Sequence, residues 1–190
     1  MTSFVSKLSA ICVKKNLIDE ENVPWFEYGV ETRIMTAISM VPSTLIAVRL
    51  SNIPTALTFL ASFKFLRART SGYHANSALG CLSISLILEL LFFGIFLQHL
   101  NPVTLYVSNG VSFLVIFFLA PFVHPNMNFS EKEVLTLRYS AKRRAMLTTL
   151  LAPVCDYLNF TAVAKGLTTG TAMAAFMLCL AYIIEWRKPI

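Results

Sequence analysis

Apolar residues in this chain gather into long runs, and the pattern predicts helices that cross a membrane. Four runs, at about 79–100, 103–123, 145–164 and 166–185, reach the length needed. A helix spans the hydrocarbon with about 20 mostly apolar residues, because lipid offers free backbone N–H and C=O groups no partner. Two earlier runs, 34–48 and 50–63, are shorter and contain Pro42 and Pro54. Arg49 and the turn-prone Ser51–Asn52 separate them. They cross as two tilted helices or dip in and return as a re-entrant hairpin. The expected fold is therefore all-α, a polytopic membrane bundle with six crossings, or four plus a hairpin.

Ahead of these runs, Phe4, Val5, Leu8, Ile11 and Cys12 recur at helical spacing, away from Lys7, Lys14 and Lys15. This reads as an amphipathic helix lying in the membrane interface. Trp25, Phe26 and Tyr28 follow as headgroup-level aromatics. We expect one domain over 1–190, with interfacial helices in 1–33 and the bundle in 34–190.

Composition supports a lipid environment. Only 14% of the 190 residues are charged and 56% are hydrophobic, against roughly 25% charged in average soluble domains. Mean hydropathy is +0.65. The net charge of +6 comes without a nucleic-acid-binding motif, so it argues topology and no nucleic-acid partner. With the N-terminus inside, fourteen of the sixteen Lys and Arg fall on the inner side, leaving Arg49 and Lys165 outside. The expected location is a multi-pass position in a cell membrane with both termini cytoplasmic, next to an anionic inner leaflet. Charged residues throughout 1–33 leave no signal-peptide apolar stretch there.

Cys12, Cys81, Cys155 and Cys179 form no CxxC pair and describe no disulfide framework. His74, His99 and His124 are too far apart for HxxxH or HExxH, so no metal or other cofactor is expected. The informative segment runs from Lys64 through Arg67, Arg69, Gly72, Tyr73 and His74 to Asn76, Ser77 and Cys81, a cytoplasmic loop entering a membrane helix. Asn76 or Ser77 can cap that helix, placing Cys81 near its first turn, where the positive end of the macrodipole favours a thiolate. On one unbroken helix, residues seven apart lie about 10 Å apart along the axis, beyond hydrogen-bond reach. The helix therefore cannot run through both His74 and Cys81, and Gly72 and Gly80 supply the backbone freedom to fold His74 back. The pair then has the elements of Cys/His acyl transfer. The plainer alternative is a loop imidazole near phosphates and a small packed thiol.

Glu89 and Asp156 sit inside expected spans, where an unpaired charge is costly, so each should face the interior and find a partner. Cys155 and Cys179 read as packing residues. A second loop carries Ala120, Pro121, Phe122, Val123, His124, Pro125 and Asn126, then the capping box Ser130-x-x-Glu133. The following helix bears Arg138, Lys142, Arg143 and Arg144, either topogenic charge against anionic lipid or a dock for an acidic peptide.

Three motifs in this order carry a resemblance: Glu27-Tyr28-Gly29-Val30-Glu31; Arg67 through Gly72-Tyr73-His74 to Cys81; and Ala120-Pro121-Phe122-Val123-His124-Pro125-Asn126 with Leu137-Arg138-Tyr139-Ser140. The sequence resembles the accessory gene regulator B (AgrB) family of bacterial membrane cysteine peptidases, which mature quorum-sensing peptide precursors. The resemblance implies Cys81 as nucleophile, His74 as its base, and Arg67 and Gly72 as further required positions. It also implies a homodimer and an AgrD-like precursor with an amphipathic leader, a central segment holding Cys or Ser, and an acidic tail. Arg69, Arg138, Lys142 and Arg143 are the basic side chains suited to that tail. In the second loop the family usually has Asp and then Lys-Pro, where this chain has Val123 and Met127-Asn128. The expected activity is cleavage of the precursor tail with cyclisation to a thiolactone or lactone. A noncatalytic membrane peptide-binding or export protein is the alternative.

Overall fold

Each apolar run forms helix because, in lipid, only a helix satisfies its own backbone within one segment. A computed structural model describes residues 2–72, 78–123 and 130–186. All seven long elements among them are α-helices: α1 (Thr2–Lys14), α2 (Val23–Leu50), α3 (Ile53–Thr70), α4 (Ala78–Leu91), α5 (Pro102–Leu119), α6 (Glu131–Tyr157) and α7 (Thr161–Trp186). Three stretches are long and apolar enough to cross a membrane: Leu82–His99, Pro102–Leu119 and Thr161–Ile184.

The chain divides into two compact units, Met1–Ser43 and Thr44–Ile190. In the first, α1 buries Val5 and Ser9 while Phe4 and Ile11 stay exposed. The Ser9 hydroxyl donates a 2.5 Å hydrogen bond to Glu27 in α2. Helix α2 runs without interruption through Trp25, Phe26, Tyr28 and Pro42, starting well before the apolar run expected at 34.

In the second unit α7 is the central helix. Its apolar window is 61% buried, whereas those of the other two candidate spans are 22% buried. Helix α3 lies against it at very short range. An added Cβ at Gly166 would sit 2.5 Å from the Thr55 carbonyl oxygen, and one at Gly170 would sit 2.8 Å from that of Phe59. Glycines four residues apart present one bare face, which lets two helix backbones touch. The Thr55 hydroxyl adds a 2.9 Å hydrogen bond to the Ala162 carbonyl.

Local chemistry explains the helix ends. Asn52 accepts from the Thr55 N–H ahead of α3, with Pro54 in the first turn. Asn101 and Thr104 form a reciprocal capping box at α5, and Ser130 and Glu133 form the expected one at α6. Past α4 the chain takes a wide π turn, Phe92–Phe96, and a tight turn at Leu97–His99. Phe93 of this stretch meets Phe59 of α3 edge-on at 4.7 Å.

The largest departure from expectation lies between the last two helices. The sequence places the break at Lys165, between runs 145–164 and 166–185. Instead α6 ends at Tyr157 and α7 starts at Thr161, with Lys165 inside α7. Asn159 takes φ +63°, the left-handed conformation that ends helices, and the Phe160 N–H returns to the Cys155 carbonyl at 2.8 Å. A lone lysine near a span end can extend its ammonium to the interface and leave the helix intact.

Candidate functional site

The site of interest builds outward from the end of α3. Thr70 closes that helix, and Ser71 and Gly72 turn the chain with φ +57° and +123°. At Gly72 any side chain would be strained, and an added Cβ would collide with the Arg67 guanidinium and lie 3.1 Å from the Met177 carbonyl oxygen of α7. Arg67 is held in place: its Nη1 donates to the Ser71 carbonyl, one turn beyond its own position. Arg67 and Gly72 therefore form one packed unit over α7.

The second loop arrives at the same place. The Phe122 N–H donates to the Thr70 carbonyl at 3.0 Å, occupying one of the acceptors left open at a helix C-terminus. The Phe122 ring meets Tyr182 of α7 edge-on at 5.0 Å, and the Tyr182 hydroxyl donates to the Leu119 carbonyl at 2.8 Å. A buried cluster including Leu66, Ile116, Ala120, Phe122, Ala174 and Leu178 forms the floor beneath both loops. Segments 67–72 and 120–123, read from sequence as separate motifs, are thus joined.

Helix α4 is described from Ala78, and Cys81 lies on it three residues further along. The preceding helix has ended by Thr70. His74, Asn76 and Ser77 lie outside the described residues, as does the Cys81 side chain. The same holds for His124, Pro125, Asn126, Met127 and Asn128.

The basic residues divide by face. Lys142 lies 4.0 Å from the centre of the Phe117 ring on α5. Arg144 donates to the Phe65 carbonyl at 2.6 Å and covers the Phe65 ring at 4.4 Å. Arg69 is near enough for its charge to act on Arg144. Arg138 and Arg143 are exposed, Arg143 at 5.6 Å from the Tyr139 ring. Sequence reasoning did not single out Arg144, Met177 or Tyr182 as neighbours of the site. Arg144 stood in the basic run, but its tie to α3 is a contact across 79 positions.

Of the two membrane carboxyls, Asp156 accepts a 2.7 Å hydrogen bond from the Tyr106 hydroxyl. Glu89 is only 2% exposed, next to Leu88 of the main apolar cluster. Cys155 packs against that same cluster.

Among the described residues these features define an all-helical membrane protein with a cysteine-bearing helix and two loop segments joined at Thr70 and Phe122. The model of the family described as accessory gene regulator B matches residues 4–183, nearly the whole chain, and the protein belongs to that family. Membership brings a role in the agr quorum-sensing system, in which AgrB proteins process peptide precursors, with an AgrD-like precursor as partner. No curated protein and no solved structure matches the chain.

Proposed function

We propose that this protein is a membrane cysteine endopeptidase that removes the C-terminal tail of an AgrD-like precursor and closes the remaining signal segment into a thiolactone or lactone. The observation that carries the reading is the match of the family model to nearly the whole chain, with Cys81 three residues into the described part of α4. A helix N-terminus stabilises a thiolate, the reactive form of cysteine.

The Cys81 thiolate attacks the carbonyl carbon at the tail junction, and His74, having taken the thiol proton, returns it to the departing amine. The tail leaves with a free N-terminus and the signal segment remains as a thioester on Cys81. A Cys or Ser within that segment loses its proton to His74 and attacks the thioester carbonyl. The ring closes and the Cys81 thiolate is released. Water must be kept from the thioester, since hydrolysis would give a linear product, and a membrane-enclosed site meets that need. Converting an amide into a thioester is uphill, so mass action through removal of the tail or ring drives the step. Arg67 and Gly72 hold the loop, while Arg69, Arg138, Lys142 and Arg143 attract the acidic tail.

In this reading the chain is a homodimer with both termini in the cytoplasm, α1 in the inner interface, and six crossings or four plus a re-entrant hairpin. Purified Cys81→Ala in liposomes with its precursor is expected to release no tail. Full tail release would reject covalent catalysis in favour of peptide binding or export. Cys81→Ser trapping an ester-linked segment supports the acyl-enzyme directly, and a pH–rate profile unchanged by His74→Gln removes His74 as base.

A further inference from the structure

One face of α6 carries a groove of which the peptidase reading uses only Arg143. Thr136, Ser140, Arg143, Leu147 and Leu150 line it, spaced by four, three, four and three residues, with Phe65 of α3 as a side wall; the cavity measures about 570 Å³. From Thr136 to Leu150 a helix rises about 21 Å. That is the depth of one leaflet, since a bilayer with its headgroups is about 40–45 Å thick. The groove is polar at one end, with Thr136, Tyr139 and Ser140, cationic midway, with Arg143 and Arg144, and apolar at the other end, with Met146, Leu147 and Leu150. No acidic residue lines it.

The groove faces outward. Ala141, Ala145, Thr148 and Ala152 form the buried face of α6, whereas Met146, Leu147 and Leu150 are half exposed or more. We propose that this groove holds one anionic phospholipid, its headgroup phosphate between Arg143 and Arg144 and an acyl chain along Leu147 and Leu150. The apolar half decides between a lipid and a peptide. An extended peptide there would face side chains that can pair none of its N–H and C=O groups, whereas an acyl chain has none to pair. The guanidinium of Arg144, already fixed on the Phe65 carbonyl and ring, presents its remaining donors in a set geometry for a phosphate. Tyr139 stands at the headgroup level, where amphipathic aromatic rings concentrate. The inference moves Arg143 from tail capture to lipid binding, and it does not rest on the peptidase reading because it requires no turnover.

The test is lipid retention by the full-length purified chain in a neutral detergent, read by native mass spectrometry. Phosphatidylglycerol is expected to be retained as one copy per chain at concentrations where phosphatidylcholine is not. Arg143→Gln is expected to weaken phosphatidylglycerol about fivefold, the effect of one basic residue near an anionic surface. Leu150→Trp keeps every charge but fills the apolar end, and it is expected to weaken the same lipid. Retention unchanged in both variants, or equal retention of the two lipids, overturns the proposal. Displacement by inorganic phosphate at equal phosphate concentration would make the site a simple anion site. Displacement by a soluble acidic peptide would assign the groove to peptide.

Discussion

The crossing of α3 and α7 is the contact most sensitive to a single added carbon. At Gly170 a methyl group would lie 2.8 Å from the Phe59 carbonyl oxygen and 3.0 Å from the Phe63 nitrogen, with the Ser62 hydroxyl also in its way. The hydroxyl can rotate, but the two backbone atoms move only if α3 moves. Overpacking of this kind costs about 1–3 kcal/mol. Alanine is a better helix former than glycine by about 1 kcal/mol, which acts in the opposite direction. Gly170→Ala is therefore expected to destabilise by up to about 2 kcal/mol. Gly166→Ala should cost at least as much, because its methyl would approach the Thr55 carbonyl to 2.5 Å. Gly110→Ala in α5 is the control: nothing lies within 4 Å of its added Cβ. It carries the propensity gain alone and is expected to be neutral or stabilising. The assay is reversible unfolding in mixed micelles with rising dodecyl sulfate, followed by helical circular dichroism. Gly170→Ala unfolding at the same midpoint as Gly110→Ala would refute the argument that backbone contact sets the α3–α7 distance.

Other substitutions read the site more directly. Gly72→Ala must adopt φ +123° and also displaces the Arg67 guanidinium; the strain of about 1–3 kcal/mol is expected to lower tail release at least tenfold, measured with precursor in liposomes. Asn109, buried in α5, donates to the Thr149 carbonyl of α6 at 2.8 Å; Asn109→Ala should cost about 1–2 kcal/mol in the same unfolding assay through the lost bond and the space left behind. Hydrogen bonds from Ser130 hold the Glu133 carboxyl below its ordinary range. Its contribution is therefore complete above the unfolded pKa and lost as pH falls through the lower folded value. Hydrogen exchange at the start of α6 should speed up on acidification in the native chain, and Glu133→Gln should remove that pH dependence.

The helical membrane fold was legible because lipid imposes a length and a composition on each crossing. Leu82–His99 and Pro102–Leu119 fall close to the runs read from hydropathy. The α6 start was legible for another local reason, since Ser130 and Glu133 complete each other within one turn. The α6–α7 break was misread because a charge inside an apolar run resembles an interruption, while the real stop depends on Asn159 entering the left-handed region. Pairing was not legible at all. Gly166 and Gly170 in isolation are merely two weak helix formers, and they acquire meaning only when Thr55 and Phe59 of α3 come to rest on them.

The same distinction explains the site. That Cys81 lies on a helix followed from the apolar run that carries it. The junction of Thr70 with Phe122 joins chain segments 52 positions apart, and no pattern along the chain announces it. Its support is α7, which contacts α3 through Gly166 and Gly170, sets its Met177 carbonyl against Gly72, and meets Phe122 through Tyr182. From Gly170 to Met177 is about 10 Å of rigid helix, so a displacement at the glycines carries directly to the floor beneath Gly72. If that rigidity positions the loop, Gly170→Ala must lower the rate of tail release even under conditions where the variant is fully folded. A rate equal to that of the Gly110→Ala control under those conditions would show that the glycine crossing stabilises the bundle without positioning the loop.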